Sequence, residues 1–303
     1  MEQSKRSMRA AFEYARSQAE NYSKSFYLSS KILPKSKKWD TFALYSFCRY
    51  VDNIVDNPRG RTDEELLEEV LSVSQELRIA FRCGESEHPV IKPFVDVAVR
   101  RNMPLQYPLD LLDGVKMDLM KNRHETFADL YEFAYRVAGV VGLMMAHVLG
   151  FANREALIYA EKLGVAMQLT NILRDVQEDA KMNRIYLPLQ EMKEFNVAED
   201  DVIRGRFTDD LRLLMQFQVD RAHRYFEEAQ PGVALLEQDS RFAISSAAKI
   251  YRGILRRIED NGYNPFLGRV YVSQQKKMAI LFSEVIRTRI LQPVAEMIAA
   301  FFS

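Results

Sequence analysis

Cysteine, histidine, proline and glycine are all scarce in this chain. Only two cysteines, Cys48 and Cys83, occur in 303 residues, and they form no CxxC pair. A disulfide scaffold and a cysteine zinc site are therefore excluded, and a reducing cytoplasm is the expected setting. There are four histidines, and the lone Glu-x-x-His, Glu85–His88, falls between Gly84 and Pro89 in what reads as a loop. That rules out the paired Glu-x-x-His motifs of a di-iron bundle. An excess of one charge is missing too: 42 basic residues balance 42 acidic ones. No nucleic-acid partner is implied, and no polybasic tail points to anionic lipid. Long uncharged apolar runs are absent from both ends. Lys5, Arg6, Glu13 and Arg16 break up the N-terminus, which excludes a signal-peptide core. Glu284, Arg287, Arg289, Pro293 and Glu296 interrupt the apolar stretch from Met278 to Ser303. A membrane span needs about 20 largely uncharged residues, so this end reads as a packed terminal helix of a soluble protein.

What is present is helical periodicity. Twelve glycines and ten prolines separate long stretches with apolar residues three or four apart. Phe42, Tyr45, Ser46 and Arg49 lead to Asp52 and Asp56 with no breaker before Pro58. Leu66, Val70, Val73 and Leu77 repeat in the same way, as do Tyr131, Tyr135, Ala138, Gly142 and Met145, and then Leu157, Glu161, Gly164 and Gln168. Further helices are expected over 209–229, 240–261 and 273–301. No run alternates like a strand, and no linker divides the chain. The expectation is one all-α domain over residues 1–303, a helical bundle with its site in a central cavity between helices.

Two acidic motifs stand out, Asp52-Asn53-Ile54-Val55-Asp56 and the run from Gln168 to Asp179. Residues four apart share a helix face about 6 Å apart. Asp52 and Asp56 therefore point the same way, as do Asn171, Asp175 and Asp179, with Gln168 just before them. Like charges at that spacing repel, and their apolar neighbours suggest partial burial, where uncompensated charge is costly. Oxygen-ligated divalent cations would relieve that strain. Magnesium in particular binds through one or two carboxylates together with phosphate oxygens and water. The bland alternative is a pair of solvated helix faces, but each motif also carries an arginine close by, Arg49 and Arg174.

These residues sit in a longer pattern that resembles the squalene/phytoene synthase family. It runs through Tyr22-Ser23-Lys24-Ser25-Phe26, Leu33-Pro34, Tyr45 to Arg49, Asp113 to Leu119, Tyr135 to Met144, Gln168 to Asp179 and Asn183 to Pro188. The likeness extends from about Ser23 to about Lys277. One departure is Asn53, where many relatives carry a second aspartate; it is turned about 100° from Asp52, so the pair at the motif's ends survives.

The resemblance implies an isoprenoid-synthase fold and a head-to-head condensation of two prenyl diphosphates through a cyclopropylcarbinyl diphosphate. It assigns Asp52, Asp56, Asn171, Asp175 and Asp179 to Mg²⁺, for which Mn²⁺ can substitute. It places Tyr22, Ser23, Lys24, Ser25, Tyr45, Arg49, Gln168, Arg174, Arg184, Arg269 and Lys277 at the diphosphates. Tyr135 and Tyr251 would line the site and join the catalytic aspartates. Taken alone, Tyr45, Tyr135 and Tyr251 each read as ordinary core aromatics, and Arg269 and Lys277 equally suit a solvated face. Gly139 and Gly142 would let a prenyl chain or a neighbouring helix come close.

The wording from Val137 to Ala146 looks closest to bacterial phytoene synthases, which implies a C40 product from two geranylgeranyl diphosphates. Phe26, Ser29, Ser30 and Leu33 share a face whose two serines could leave room for the longer tail. There is no Gly-rich dinucleotide fingerprint, and NADPH is not expected. The alternatives are dehydrosqualene, presqualene diphosphate or squalene from farnesyl diphosphate, or a non-catalytic helical assembly protein. The implied location is cytoplasmic, with peripheral membrane contact left open because the substrates are greasy. The sequence sets no oligomeric state.

Overall fold

The computed structural model describes residues 2–22, 27 and 30–287. Its helices, in chain order, are α1 (Glu2–Tyr22), α2 (Lys35–Asp56), α3 (Asp63–Cys83), α4 (Ile91–Arg100), α5 (Gln106–Met120), α6 (Phe127–Ala134), α7 (Val140–Leu149), α8 (Glu155–Lys181), α9 (Leu189–Glu194), α10 (Glu199–Ile203), α11 (Asp209–Ala229), α12 (Arg241–Asp260) and α13 (Gln274–Ile286). A π turn, Tyr135–Gly139, joins α6 to α7, and a 3₁₀ turn, Gln230–Leu235, follows α11. Among the described residues there is no strand, only isolated bridges Arg123–Ile185 and Phe151–Leu236.

Local chemistry sets the helix ends. Thr62 opens α3 as a capping box: its hydroxyl accepts from the Glu65 N–H, and Glu65 accepts from the Thr62 N–H at 2.8 Å. Gly84 closes the same helix in the left-handed conformation that glycine adopts without strain. Asn57 and Pro58 stop α2 just after Asp56, so the first acidic motif lies in that helix's last turn.

Two apolar cores form. One joins α6, α8, α11 and α12 through residues such as Leu169, Leu173, Leu214 and Leu255. The other joins α2, α3, α4, α5 and α7 through Phe47, Leu77, Phe94 and Leu111, with the Phe47 and Phe94 rings stacked at 4.0 Å. Tyr135 packs partly against both. Helix α2 is held at two buried charges. Asp40, 2% exposed, accepts from Arg100 at 2.8 Å and from Arg101 at 2.7 Å. Lys37 is equally enclosed and reaches Glu237 at 2.6 Å, Asp239, and the Ser240 hydroxyl at 3.0 Å. Buried charges of this kind persist only when paired, so α2 has little freedom to turn its aspartates away.

The segment Phe127–Leu149 is 23 residues long and apolar enough to cross a membrane by composition. Here it is an interior helix, half buried, with α8 packed on it. The packing is unusually close because two glycines face backbone. A Cβ on Gly142 would lie 2.2 Å from the Ala160 carbonyl oxygen, and one on Gly164 would lie 2.2 Å from that of Ala138. Gly142 thus meets a neighbouring helix closely, and it also lines the cavity described below.

Candidate active site

Between the two cores lies a cavity of about 650 Å³. Five aspartates line it: Asp52 and Asp56 from α2, Asp118 from α5, and Asp175 and Asp179 from α8. Gln168, Asn171, Tyr45, Arg184, Tyr186 and Tyr251 join them, and much of the remaining wall is apolar, including Val115, Phe133, Val141, Met145 and Leu163. The two acidic motifs therefore do meet across one space, as their helix faces predict.

The aspartates are not equivalent. Asp52 is exposed on the cavity wall but sits deep among protein atoms; that enclosure, with the charges of Asp56 and then Asp118, outweighs Arg49 and pushes its carboxyl up to about 7. Asp56 is raised in the same direction, mainly by enclosure, although Arg49 donates to it at 3.3 Å. Burial and the neighbouring Asp175 push Asp179 up to about 7 as well, against Arg184.

Asp175 goes the other way. Burial would raise it, but Arg174 donates at 2.8 and 2.6 Å and Arg269 at 2.8 and 3.0 Å, and the carboxyl ends below its ordinary value. Arg174 and Arg269, expected at diphosphate, both grip this one carboxylate.

Asp118 is the residue that sequence reasoning missed as a site member, although it lay inside a quoted motif. It accepts from the Tyr186 hydroxyl at 2.5 Å and from Arg184 at 3.2 Å. Its charge also raises Asp52, Asp56 and Asp179, so it sits electrostatically between the two motifs. The signal available was an aspartate in a family motif, but helix α5 was not foreseen, so its face could not be assigned. Tyr186 itself stacks on Phe133 at 5.3 Å, which places a ring of the cavity wall behind the polar end.

Tyr135 is placed differently from Tyr45 and Tyr251, which line the cavity. It is not among the residues lining the cavity; its hydroxyl lies 3.5 Å from Asp110, outside that space. A π turn begins at this residue, where the Val140 N–H reaches back five residues to the Tyr135 carbonyl. Phe133, Val137 and Ala138 line the wall on either side of Tyr135 in sequence.

The other expected residues divide. Arg49 lies beside Asp56 with its guanidinium 5.3 Å from the exposed Tyr22 ring, and its Nε is buried without a partner. Lys277 is in the first turn of α13 and does not line the cavity. Ser30, 3% exposed, and Leu33 do line it. Ser23, Lys24, Ser25, Phe26 and Ser29 lie outside the described residues, as does the expected helix beyond 287.

Among the described residues, no three acidic, histidine or cysteine side chains converge tightly enough to hold a metal unaided. The oxygens nevertheless fit a hard divalent cation that keeps phosphate and water among its ligands. Asn171 donates its amide to Gln168 at 3.3 Å, which leaves its Oδ1 buried without a partner. Asp52 and Asp179 hold their protons toward neutrality, as expected of carboxylates whose positive partner is incomplete.

An all-helical bundle that turns acidic helix faces into an apolar cavity defines an enzyme of the isoprenoid-synthase class. The family model described as Squalene/phytoene synthase matches residues 19–276, and the chain belongs to that family. It is a prenyltransferase. The chain is 38% identical over 298 residues to the 15-cis-phytoene synthase of Synechococcus elongatus, covering 94% of this chain and 96% of the relative. It is 39% identical to the phytoene synthase of Arthrospira platensis, with 93% and 94% covered. A crystal structure of a dehydrosqualene synthase with ligand superposes with TM-score 0.83 at 33% identity, covering 91% of this chain and 96% of that one. The squalene synthase HpnC of Alicyclobacillus acidocaldarius superposes with TM-score 0.78 at 25% identity, covering 85% and 96%.

Proposed function

We propose that this enzyme joins two molecules of geranylgeranyl diphosphate head to head and releases phytoene, the first C40 hydrocarbon of carotenoid synthesis. The observation that supports it most is the single cavity with five aspartates at its polar end and an apolar wall beyond. Similarity along nearly the full length to curated 15-cis-phytoene synthases supports the C20 substrate.

Asp52, Asp56, Asn171, Asp175 and Asp179 would hold the metal, Mg²⁺ or in its place Mn²⁺. Once bound, such a cation neutralises the charge that builds on a departing diphosphate. The chain's own residues supply the rest. Arg49 and Arg184 offer guanidinium donors beside the aspartates, and Arg174 and Arg269 bring two positive charges to one carboxylate. Tyr45, Gln168 and Tyr251 present polar groups to the same space. Tyr251 and Phe133 bring aromatic rings to that space, beside which an allylic cation is favoured. The apolar wall excludes water that would quench that cation.

Ser23, Lys24 and Ser25 belong to this proposal as diphosphate contacts on the strength of the family pattern. So does a cytoplasmic location with peripheral membrane contact.

The second reading is dehydrosqualene formation from farnesyl diphosphate, favoured by the fold similarity to a dehydrosqualene synthase. Mass spectrometry of the hydrocarbon made from C15 or C20 diphosphate, with and without NADPH, separates the two. Phytoene from C20 substrate regardless of NADPH is the expected result. A strong preference for C15 moves the assignment to the C30 product.

A further inference from the structure

The cavity runs along α8. From Asp175 back to Tyr159 the helix rises about 24 Å, so Tyr159 stands at the end far from the acidic groups. Small residues join it on the cavity wall, Ala156 and Ala160 from its own helix, Ala229 from the end of α11 and Gly232 from the 3₁₀ turn. Tyr159 is the bulkiest side chain in that set.

Its position is closely fixed. A Cβ built on Gly232 would lie 2.2 Å from Tyr159 Cβ and 2.8 Å from Cγ, so the ring base packs on bare backbone of the 3₁₀ turn. The Tyr159 hydroxyl lies 3.2 Å from Glu155, whose side chain is exposed. The ring therefore separates an apolar space from solvent at the helix start. The turn it packs against is anchored in its turn, because Glu237, Asp239 and Ser240 just beyond it close on the buried Lys37, and Ser240 donates to the Leu149 carbonyl at 2.9 Å.

From this contact we infer that Tyr159, seated on Gly232, is the stop that limits the length of the prenyl tail. The tail lies along α8 with its diphosphate at the aspartates, and its last isoprene unit ends against the Tyr159 ring. Gly232 leaves no room for a side chain here, because an added Cβ would overlap the base of the Tyr159 ring. The inference rests on the prenyl-diphosphate reading of the cavity but not on the C20 assignment.

The test measures turnover of C15, C20 and C25 prenyl diphosphates by full-length wild type, Tyr159→Ala and Gly232→Ala, with a thermal melt of each and Tyr159→Leu as a milder second variant. One isoprene unit carries five carbons whose burial is favourable, so removing the stop should raise the C25/C20 ratio of Tyr159→Ala at least about tenfold. Gly232→Ala should lower the C20/C15 ratio by a similar factor, because overpacking penalises the longer tail. If the wild type uses C15 and not C20, the phytoene reading fails, and the stop is then scored by a rise in C20/C15 in Tyr159→Ala. Folded Tyr159→Ala or Tyr159→Leu protein with wild-type chain-length ratios would overturn the inference.

Discussion

Arg269 straddles Asp175, its Nε 2.8 Å from one carboxylate oxygen and its Nη2 3.0 Å from the other, across 94 positions of sequence. Arg174 holds the same carboxylate from the adjacent position. Two guanidiniums on one carboxylate leave a net positive charge beside the cavity, and Arg269 is the more exposed of the two, at 56% against 15%. In the function proposed above it would turn toward an arriving diphosphate. Arg269→Gln should raise KM for the prenyl diphosphate about tenfold, since a hydrogen bond to a charged group contributes roughly 1.5–3 kcal/mol. Steady-state kinetics check this, with kcat expected to move less than KM.

Charge at the ends of the first motif should matter far more than charge at its middle. Asp52→Asn should lower the rate at least about a hundredfold, the scale of losing one partner of transition-state charge. Asn53 is not among the cavity-lining residues, so Asn53→Ala should cost much less. Equal sensitivity at the two positions would mean that the ligand face of α2 has been misassigned.

The raised carboxyls also set a pH dependence of stability in metal-free protein. Asp52 and Asp179 titrate near 7 when folded, against an ordinary carboxylate value of about 4 when unfolded. Between those values the folded state binds more protons, so stability falls as pH rises from about 4 to about 7. Thermal melts in chelator should therefore show a lower Tm at pH 8 than at pH 5.5. The double variant Asp52→Asn, Asp179→Asn should flatten that fall; an unchanged slope would place its origin elsewhere.

The contact between α7 and α8 has no room for a methyl group. Gly142→Ala and Gly164→Ala each put a Cβ against a backbone carbonyl, which cannot swing aside as a side chain can. Each should lose about 1–3 kcal/mol or more of stability, measurable by denaturant unfolding. Gly268, where an added Cβ meets nothing within 4 Å, has a positive φ and so would not serve as a neutral comparison.

Much of this was readable from residue spacing. Asp209–Ala229 is the helix its apolar pattern describes, and the helix from Arg241 to Asp260 lies within the expected 240–261. Four-residue spacing was enough to turn Asp52 with Asp56 and Asp175 with Asp179 toward one space. Tyr135 is not among the lining residues, and the π turn that begins there leaves no mark in apolar spacing. Asp118 was overlooked because its partners Arg184 and Tyr186 come from a segment 66 and 68 residues further on. The pairing of Arg174 and Arg269 on Asp175 is likewise a tertiary fact, since either arginine suits an open phosphate site equally well in sequence.

The most direct measurement follows diphosphate release and hydrocarbon mass together, from purified protein and geranylgeranyl diphosphate, as Mg²⁺ is titrated and then removed with excess EDTA. Phytoene should accumulate as Mg²⁺ rises into the millimolar range, with or without NADPH, and both readings should stop with chelator. Full turnover in excess EDTA, or metal-dependent protein that leaves the C20 substrate untouched while consuming farnesyl diphosphate, would contradict it.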